Sequence, residues 1–396
     1  MKVGIDLGTS YSSISILNKE GKAEPVNVST GISVFGDNYS LPSAVFAENG
    51  KLIVGQAAIV SRMKNLENFK SEFKRDLGQN IPYQLGEMQL MPDDLYRELF
   101  IHLKKCAEQY AGESIQLACI THPANYNDRK KVLVINAAKK AGLLNVVLLD
   151  EPTAAAIHYC NNQKLVEGNR MLVYDFGGGT FDVALIEHKN GKFESLTPSV
   201  GVEHCGGIDI DRIVFDDIIR SIKAEHINQI KSNPVNLKRF KAKLNEISVK
   251  AKHHLSATEH YAEDIEIGFE YQNYEINRSR FNALISALID ETMACSNQII
   301  KNAGMKIAEI DTLLLVGGTS RIPLVRERLE KITGKNLQVN VNLELAVSMG
   351  AALYAGRQNG KPKEAKAVFC THCCKKISTA DKFCNKCATP NIDFKK

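Results

Sequence analysis

The sequence has no apolar run approaching the roughly 20 residues that a membrane-spanning helix needs. Its first residues enter an apolar strand near 3–7, without the hydrophobic region or cleavage site of a signal peptide. No low-complexity segment is present. These absences argue against a membrane or secreted protein and predict a globular protein of the cytoplasm. With 396 residues and 44% hydrophobic content, the chain has room for two or three domains.

The charge is distributed unevenly along the chain. Residues 357–396 carry ten Lys or Arg and three Asp or Glu, whereas residues 1–356 are nearly neutral. A basic tail of this kind can bind nucleic acid or an acidic protein. Because no aromatic residues interleave with the basic ones to stack on bases, the composition argues against nucleic acid as a partner, and a solvated tail is the simpler interpretation.

Runs of Val, Ile and Leu alternate with segments of helical periodicity, which is typical of an α/β protein. The predicted strands lie near 3–7, 12–17, 115–120, 146–150, 170–175, 181–187, 193–198, 264–270 and 312–316. The predicted helices lie near 94–111, 127–141, 152–160, 209–230, 236–256, 278–303 and 321–332. The candidate N-caps are Asn127 or Asp128, Asp209, and Ser320. Residues 358–367 have no apolar periodicity and indicate a linker.

Two similar turns lie half a chain apart, at 3–12 and 172–182. Each has an apolar strand, an Asp at its end, a turn of Gly and hydroxyl residues, and a second apolar strand. Glycine lets backbone N–H groups close on a phosphate, and Asp6 and Asp175 can hold a hydrated Mg²⁺. One such turn can equally be a hairpin with a solvated Asp. Two copies predict related halves that share one nucleotide.

Four further segments fit the same chemistry, and each has a plainer alternative. Glu151 sits at a strand-to-helix junction, where it can act in catalysis or simply stabilise the helix dipole. Residues 315–323 form a Gly turn that suits a nucleotide or a tight packing corner. Residues 204–211 form another Gly-Gly turn. Lys74 offers a cation for the γ-phosphate, although most Lys-Arg pairs lie on the surface.

Residues 5–12, 150–156, 175–182 and 316–323 occur in the order and spacing of the ATPase domain of the DnaK-type heat shock protein 70 family. The chain resembles that domain over roughly residues 1–357. The resemblance implies an actin-like α/β fold with a duplicated core, two lobes, and ATP or ADP with Mg²⁺ at the bottom of the cleft. It also implies in-line attack of water on the γ-phosphate, with catalysis mainly by positioning and charge.

Matching positions carry over the family's functional residues. The resemblance implies catalytic roles for Asp6, Lys74, Glu151, Asp175 and Thr180. Among these, Asp6 and Asp175 would hold Mg²⁺ through water, and Lys74 and Glu151 would position or activate the attacking water. The implied phosphate contacts are Gly8, Thr9, Ser10, Tyr11, Gly177, Gly178, Gly179, Gly206 and Gly207. The implied adenosine contacts are Lys252, His253, Ser256, Gly317, Gly318, Ser320, Arg321 and Ile322.

The chain also departs from the family pattern. Val249 stands where an acidic residue usually helps Lys252 bind the ribose, and His253 stands where another residue type usually stacks on adenine. We therefore expect weaker contributions from ribose and adenine than from the phosphates. After Arg357 the family's apolar interdomain linker does not follow. The remaining residues are too few for its peptide-binding domain, which predicts a chain that lacks the usual client-binding domain.

The C-terminal segment contains two CxxC motifs that are ten residues apart. Four thiolates at this spacing can bind Zn²⁺ tetrahedrally. The expected zinc ligands are Cys370, Cys373, Cys384 and Cys387. The spacing resembles a zinc ribbon over residues 368–396. A redox dithiol is the alternative, and Cys374 or His372 could replace one ligand.

Together these features predict an ATP-binding, slowly hydrolysing protein of the heat-shock type, acting as a chaperone or molecular switch. Its zinc ribbon would recruit a co-chaperone or client protein. A non-hydrolysing, nucleotide-dependent scaffold is the main alternative, favoured by Val249 and His253. A sugar kinase would need an acid poised for a sugar hydroxyl, and no residue is identified for that role. The motifs at 150–156 and 316–323 match a filament-forming protein less well than they match a chaperone.

Overall fold

The computed structural model describes residues 1–29, 38–161, 166–231, 234–268, 270–334 and 345–358, together with the strand pairs at 368–369 and 376–377. The chain divides into two compact units. Unit 1 comprises Met1–Val60, Glu67–Leu165 and Leu345–Lys396, and unit 2 comprises Ser61–Leu66 and Val166–Glu344.

The strands of the described residues are, in chain order, β1 (Lys2–Leu7), β2 (Tyr11–Leu17), β3 (Ala23–Pro25), β4 (Leu41–Pro42), β5 (Ala44–Glu48), β6 (Lys51–Val54), β7 (Phe69–Ser71), β8 (Tyr83–Leu85), β9 (Met88–Leu90), β10 (Leu117–His122), β11 (Val146–Asp150), β12 (Arg170–Phe176), β13 (Thr180–Lys189), β14 (Lys192–Ser195), β15 (Val200–Glu203), β16 (His260–Ile267), β17 (Glu270–Asn277), β18 (Thr312–Val316), β19 (Val368–Phe369) and β20 (Lys376–Ile377).

The α-helices of the same residues are α1 (Gln56–Ser61), α2 (Pro92–Ala111), α3 (Asp128–Lys140), α4 (Glu151–Asn161), α5 (Gly207–Ser221), α6 (Ala224–Lys231), α7 (Pro234–Ala257), α8 (Arg278–Asn302), α9 (Pro323–Thr333) and α10 (Ala346–Arg357). Short 3₁₀ helices lie at Leu66–Asn68, Ile307–Glu309 and Gly318–Arg321. The predicted α/β class is confirmed.

The central sheet of unit 1 has the strand order β11-β10-β1-β2-β3, with β4 added beside β2. Strands β1, β10 and β11 are parallel, whereas β1 and β2 form an antiparallel pair across the first glycine turn. Apolar side chains of β1, β2 and α2 fill its core, including Val3, Ile5, Ile14, Leu99 and Phe100. The sheet therefore delivers Asp6 and the turn after it to the end of a buried strand.

Helix α10 packs backbone to backbone in unit 1. A Cβ at Gly350 would lie 1.7 Å from the Ala154 carbonyl oxygen, and a Cβ at Gly4 would lie 2.2 Å from the Ser348 carbonyl oxygen. Such distances leave no room for a side chain, so glycine is required where α10 crosses α4 and β1. The contact with α4 fixes the helix that begins at Glu151.

The central sheet of unit 2 repeats the arrangement of unit 1. Its strand order is β14-β13-β12-β18, with β15 beside β13. Strands β12 and β13 are antiparallel across the second glycine turn, and β12 and β18 are parallel. The series β14-β13-β12-β18 thus matches β3-β2-β1-β10 in order and direction. This agreement supports the duplicated core expected from the two turns.

A second feature of unit 2 is the two-stranded sheet of β16 and β17. Its inner face buries Tyr261, Ile265 and Tyr274, and these residues join the apolar core formed with α5, α7 and α8. The prediction of a single strand at 264–270 is wrong, because Gly268 turns the chain with a φ of 67° and a hairpin results.

The prediction of one helix over 209–230 is also wrong. Helix α5 ends at Ser221 and α6 begins at Ala224. The Ser221 hydroxyl donates to the Ile218 carbonyl, and the Gln272 side-chain amide donates to the Ser221 carbonyl. These side-chain hydrogen bonds occupy carbonyl groups near the helix end, and such bonds compete with helix continuation.

Candidate functional site

The first glycine turn joins β1 to β2 and is held by Ser43. The Ser43 hydroxyl donates to the Gly8 carbonyl at 2.8 Å, and the Ser43 backbone N–H donates to the Ser10 carbonyl at 2.8 Å. A Cβ at Gly8 would lie 2.1 Å from the Tyr11 carbonyl oxygen, so this turn requires glycine. Thr9 is buried, Ser10 is half-buried and Tyr11 is exposed. The backbone of the turn is therefore held in place, and its hydroxyl-bearing residues range from buried at Thr9 to exposed at Tyr11.

Lys74 and Glu151 form a buried ion pair in unit 1. The Lys74 Nζ lies 2.9 Å from Glu151 Oε1, and the two side chains are 8% and 10% exposed. Lys74 follows β7 in a turn that the buried side chains of Phe73 and Leu77 anchor. Glu151 is the first residue of α4. The pair joins two segments that the sequence places 77 residues apart.

Asp6 lies close to this pair, as the pKa shifts indicate. Thr121 on β10 donates its hydroxyl to Asp6 Oδ1 at 2.9 Å. Burial and the negative charge of Glu151 raise the pKa of Asp6 to about 7, although Lys74 and Thr121 oppose the shift. Burial disfavours the Lys74 cation, but the neighbouring groups, with Glu151 the strongest and Asp6 among them, together outweigh burial and raise the pKa of Lys74. One cation and two acidic groups therefore share a buried corner, which suits a bound cation or a polarised water.

Three glycine turns of unit 2 pack against one another. A Cβ at Gly206 would lie 2.6 Å from the Gly178 carbonyl oxygen. A Cβ at Gly317, whose φ is 80°, would lie 2.3 Å from the Phe176 carbonyl oxygen. All of these neighbours are backbone atoms that cannot move aside cheaply. The turns thus form a cradle that side chains would fill.

Hydrogen bonds fix the 177–179 turn to the start of α5. The Gly207 N–H donates to the Gly177 carbonyl at 3.1 Å, and the Ile208 N–H donates to the Gly178 carbonyl at 2.9 Å. The Thr319 hydroxyl also donates to the Gly177 carbonyl, at 2.8 Å. The turn is therefore rigid before any ligand arrives, which is a requirement of a preorganised anion site.

Asp175 and Asp6 occupy equivalent positions in the two sheets. Each is the next-to-last residue of its strand, and each faces the third residue from the turn on the neighbouring strand, Asp182 and Ser13 respectively. Asp175 is buried at the carboxyl end of β12. Thr180 begins β13, and its carbonyl accepts a hydrogen bond from the Gly177 N–H at 3.1 Å. Unit 2 thereby brings Asp175, the 177–179 turn and Thr180 together.

Lys252 on α7 has an acidic partner that the sequence did not indicate. Its Nζ lies 2.8 Å from Asp211 Oδ2 and 3.1 Å from the Gly207 carbonyl oxygen. The Lys252 and Asp211 side chains are 13% and 15% exposed. Val249, one helical turn earlier, is half-buried. Lys252 is therefore paired even though residue 249 is apolar.

His253 and Ser256 follow Lys252 on α7. Partial burial, with the charges of Lys252 and Arg321 nearby, lowers the pKa of His253 to about 4, so the imidazole is neutral at neutral pH. The Ser256 hydroxyl donates to the Lys252 carbonyl at 2.8 Å. Arg321 is exposed. A neutral ring near two cations can stack on a purine without adding charge.

The predicted N-cap at Asn127 is confirmed, because its side chain accepts a hydrogen bond from the Lys130 N–H at 3.0 Å, but those at Asp209 and Ser320 are wrong. Helix α9 begins at Pro323 with Ile322 as its N-cap, whereas Ser320 is buried and donates its hydroxyl to the Val316 carbonyl at 2.6 Å. Helix α5 begins at Gly207 with Gly206 as its N-cap. Asp209 therefore lies within the first turn of that helix. Helix α5 therefore begins earlier than the capping pattern predicted, and helix α9 begins later.

Cys370, Cys373, Cys384 and Cys387 lie outside the described residues, so the zinc prediction stays a prediction. Strands β19 and β20 pair in antiparallel register and bracket the first CxxC motif, with Val368 opposite Ile377. Among the residues that the structure does describe, no group of three or more His, Cys, Asp or Glu side chains could hold a metal ion.

Ser43, Thr121 and Asp211 contribute to the site and were not singled out from the sequence. Thr121 lies on β10, which runs parallel to β1, so its place beside Asp6 could have been inferred from sheet pairing. Asp211 lies four residues after Gly207 and faces the same side of the helix. Ser43 has no local signal, because its contact with Gly8 spans 35 residues.

Comparison with known proteins adds the family. Residues 2–388 match the family described as Hsp70 protein, which is nearly the whole chain and extends into the cysteine-containing segment. Members of this family are ATPases that bind ATP or ADP with Mg²⁺. In the part of the chain that is described, no helix is long and apolar enough to cross a membrane. The length of the match shows that the chain belongs to the Hsp70 family.

Proposed function

We propose that this chain binds Mg-ATP through its glycine turns and hydrolyses it slowly. The backbone N–H groups and hydroxyls of residues 8–11 and 177–180 serve the phosphates. Gly206 and Gly317 lie so close to other backbone that neither position has room for a side chain. Lys252, His253, Ser256 and Arg321 serve the adenosine, together with the buried backbone near Ser320 and Ile322.

The observation that carries this proposal is the buried Lys74–Glu151 pair beside Asp6. Two opposite charges held 2.9 Å apart and largely out of water are costly to build and seldom improve stability over apolar residues. Their retention is explained if Lys74 compensates charge on the γ-phosphate while Glu151 orients or deprotonates the attacking water. Catalysis of phosphoryl transfer depends mainly on such positioning and charge compensation.

Mg²⁺ fits the acidic groups that are present. Carboxylate oxygens are the ligands that this ion prefers, and it usually retains several waters. Asp6 has its ionised form disfavoured by burial and by Glu151, so a nearby cation would relieve that cost. Asp175 lies at the equivalent position of the second sheet. When bound, Mg²⁺ would neutralise phosphate charge, and the two aspartates would hold it through water.

The biological role that best fits is an Hsp70-type chaperone or molecular switch driven by ATP. A non-hydrolysing scaffold is the second candidate. Val249 favours it, because an apolar residue stands where an acidic side chain would help bind the ribose. We propose a cytoplasmic location, since Cys119 and Cys205 are buried free thiols of the kind that a reducing compartment preserves.

We further propose that Cys370, Cys373, Cys384 and Cys387 bind one Zn²⁺ in a ribbon that recruits a co-chaperone or client protein. The antiparallel pairing of β19 and β20 around the first CxxC motif supports this proposal. Protein purified without chelator should contain about one zinc per chain by elemental analysis. Changing Cys384 and Cys387 to Ser should remove the metal. Absence of zinc from the unmodified protein would refute the ribbon.

Single-turnover ATP hydrolysis tests the proposed activity. Lys74→Ala should lower the rate by about 10²–10³, because it removes one electrostatic group, while ATP binding remains largely intact. Lys70→Ala is the matched control, since Lys70 lies four residues earlier in the chain and its half-buried side chain pairs with Asp76 at 3.3 Å and lies over the Tyr83 ring instead of contacting Glu151. Equal rates for the wild type and both variants, with tight ATP binding, would support the scaffold instead.

A further inference from the structure

The side chain of Lys252 is clamped between two parts of α5. Its Nζ contacts the Gly207 carbonyl in the first turn of the helix and Asp211 Oδ2 four residues later. Residues four apart lie on the same face of a helix, so one ammonium group bridges both. The contacts use two of the three N–H donors of the ammonium, and the third remains for another acceptor.

The partner Asp211 is not interchangeable with surface carboxylates. Its side chain is 15% exposed, and the Lys252 side chain is 13% exposed. A charge-assisted hydrogen bond in such surroundings holds the flexible lysine stem in one place. Without Asp211, the ammonium would keep only the carbonyl contact at 3.1 Å. Val249, on the preceding turn of α7, offers no substitute.

We propose that Asp211 is the positioning residue that presents Lys252 to the ribose of the bound nucleotide. The inference rests on the ATP binding proposed above. Asp211 itself does not touch the ribose. It takes the structural part that an acidic residue at position 249 would otherwise fill, so selectivity for the ribose hydroxyls depends on α5 rather than on α7 alone.

The hydrogen bonds described above for the 177–179 turn do not involve the Asp211 carboxylate, although Gly207 takes part in both sets of contacts. The Gly207 and Ile208 N–H groups and the Thr319 hydroxyl bind the 177–178 carbonyls without involving Asp211. Loss of the Asp211 carboxylate should therefore weaken recognition of the sugar and leave recognition of the phosphates unchanged. A general structural defect would weaken both, which makes the two explanations separable.

The test compares Asp211→Asn with the wild type by calorimetric binding of ATP, 3′-deoxy-ATP and inorganic tripolyphosphate, each with Mg²⁺. We expect ATP binding to weaken about tenfold, as for loss of a hydrogen bond to a charged group. The preference for ATP over 3′-deoxy-ATP should fall towards unity, and tripolyphosphate binding should not change. Asp209→Asn is the matched control, because Asp209 lies on the same helix and pairs with the exposed Arg212.

A second variant covers the case in which Asp211→Asn folds poorly. Adding Val249→Glu to Asp211→Asn places a carboxylate within one helical turn of Lys252 and should restore both ATP affinity and ribose preference. If Asp211→Asn behaves like Asp209→Asn while the wild type binds ATP, the inference is overturned and the proposed function stands. If the wild type does not bind ATP, both fall.

Discussion

Replacing Lys74 with Met should destabilise unit 1 by leaving Glu151 buried without its cation. The Lys74 and Glu151 side chains are 8% and 10% exposed and 2.9 Å apart, so water cannot replace the lost partner. Removing one member of a buried pair commonly costs about 3–5 kcal/mol. Asp6 adds a second acidic group nearby, which places the expected loss towards the upper part of that range.

The double variant Lys74→Met/Glu151→Gln separates stability from catalysis. It removes both charges and keeps similar shapes, and replacing a whole buried pair is often neutral. We therefore expect most of the lost stability to return, while ATP turnover stays as low as in the single variant. A stability gain without an activity gain would show that the pair is kept for its chemistry.

Hydrogen exchange is the appropriate assay because a chain with two units need not unfold in one step. Peptides from β1 and α4 should exchange faster in Lys74→Met and return towards wild-type protection in the double variant. Peptides from β16 and β17 are the internal control. Wild-type protection in Lys74→Met, or no recovery in the double variant, would refute the assignment of a mutually dependent buried pair.

Three further changes are predicted. Gly206→Ala should weaken ATP binding at least tenfold, because its Cβ would lie 2.6 Å from the Gly178 carbonyl oxygen; unchanged calorimetric affinity would exclude a rigid cradle. Because burial lowers the pKa of His122, the free energy of unfolding should fall as the pH drops below about 6.5, the ordinary pKa of histidine. Thermal scans of His122→Phe should show a smaller loss of stability at low pH than scans of the wild type. The same pH dependence in both proteins would contradict this prediction. Val249→Glu should tighten ATP binding by less than about tenfold, because Lys252 already has Asp211, and a larger calorimetric gain would show that pair to be weak.

The elements that the sequence predicted well carry their signal locally. The two turns combine Gly, hydroxyl and Asp residues within ten positions, and both sit at the ends of strands. Helix α10 was not predicted, because its residues are small and apolar on most sides. It therefore lacks the polar face that is typical of a surface helix. Strands β3 to β9 have two to five residues each, too few to establish a period of two.

The contacts of the site were less predictable than its residues. Lys74 and Glu151 were each identified from their own segment, but their ion pair joins residues 77 positions apart. Asp211 appeared only as part of a glycine turn, and its pairing with Lys252 depends on how α5 and α7 pack. Local patterns therefore indicate which residues have functional chemistry, whereas tertiary packing decides which of them act together.

The two glycine turns are held by different neighbours. Ser43 fixes the first turn through the Gly8 and Ser10 carbonyls. The start of α5 and Thr319 fix the second. A turn retained only for packing should keep similar neighbours in both copies of a duplicated sheet. Here the turn and its Asp persist while the supporting contacts differ, and this difference favours a shared task for the turns themselves, in agreement with the phosphate binding proposed above.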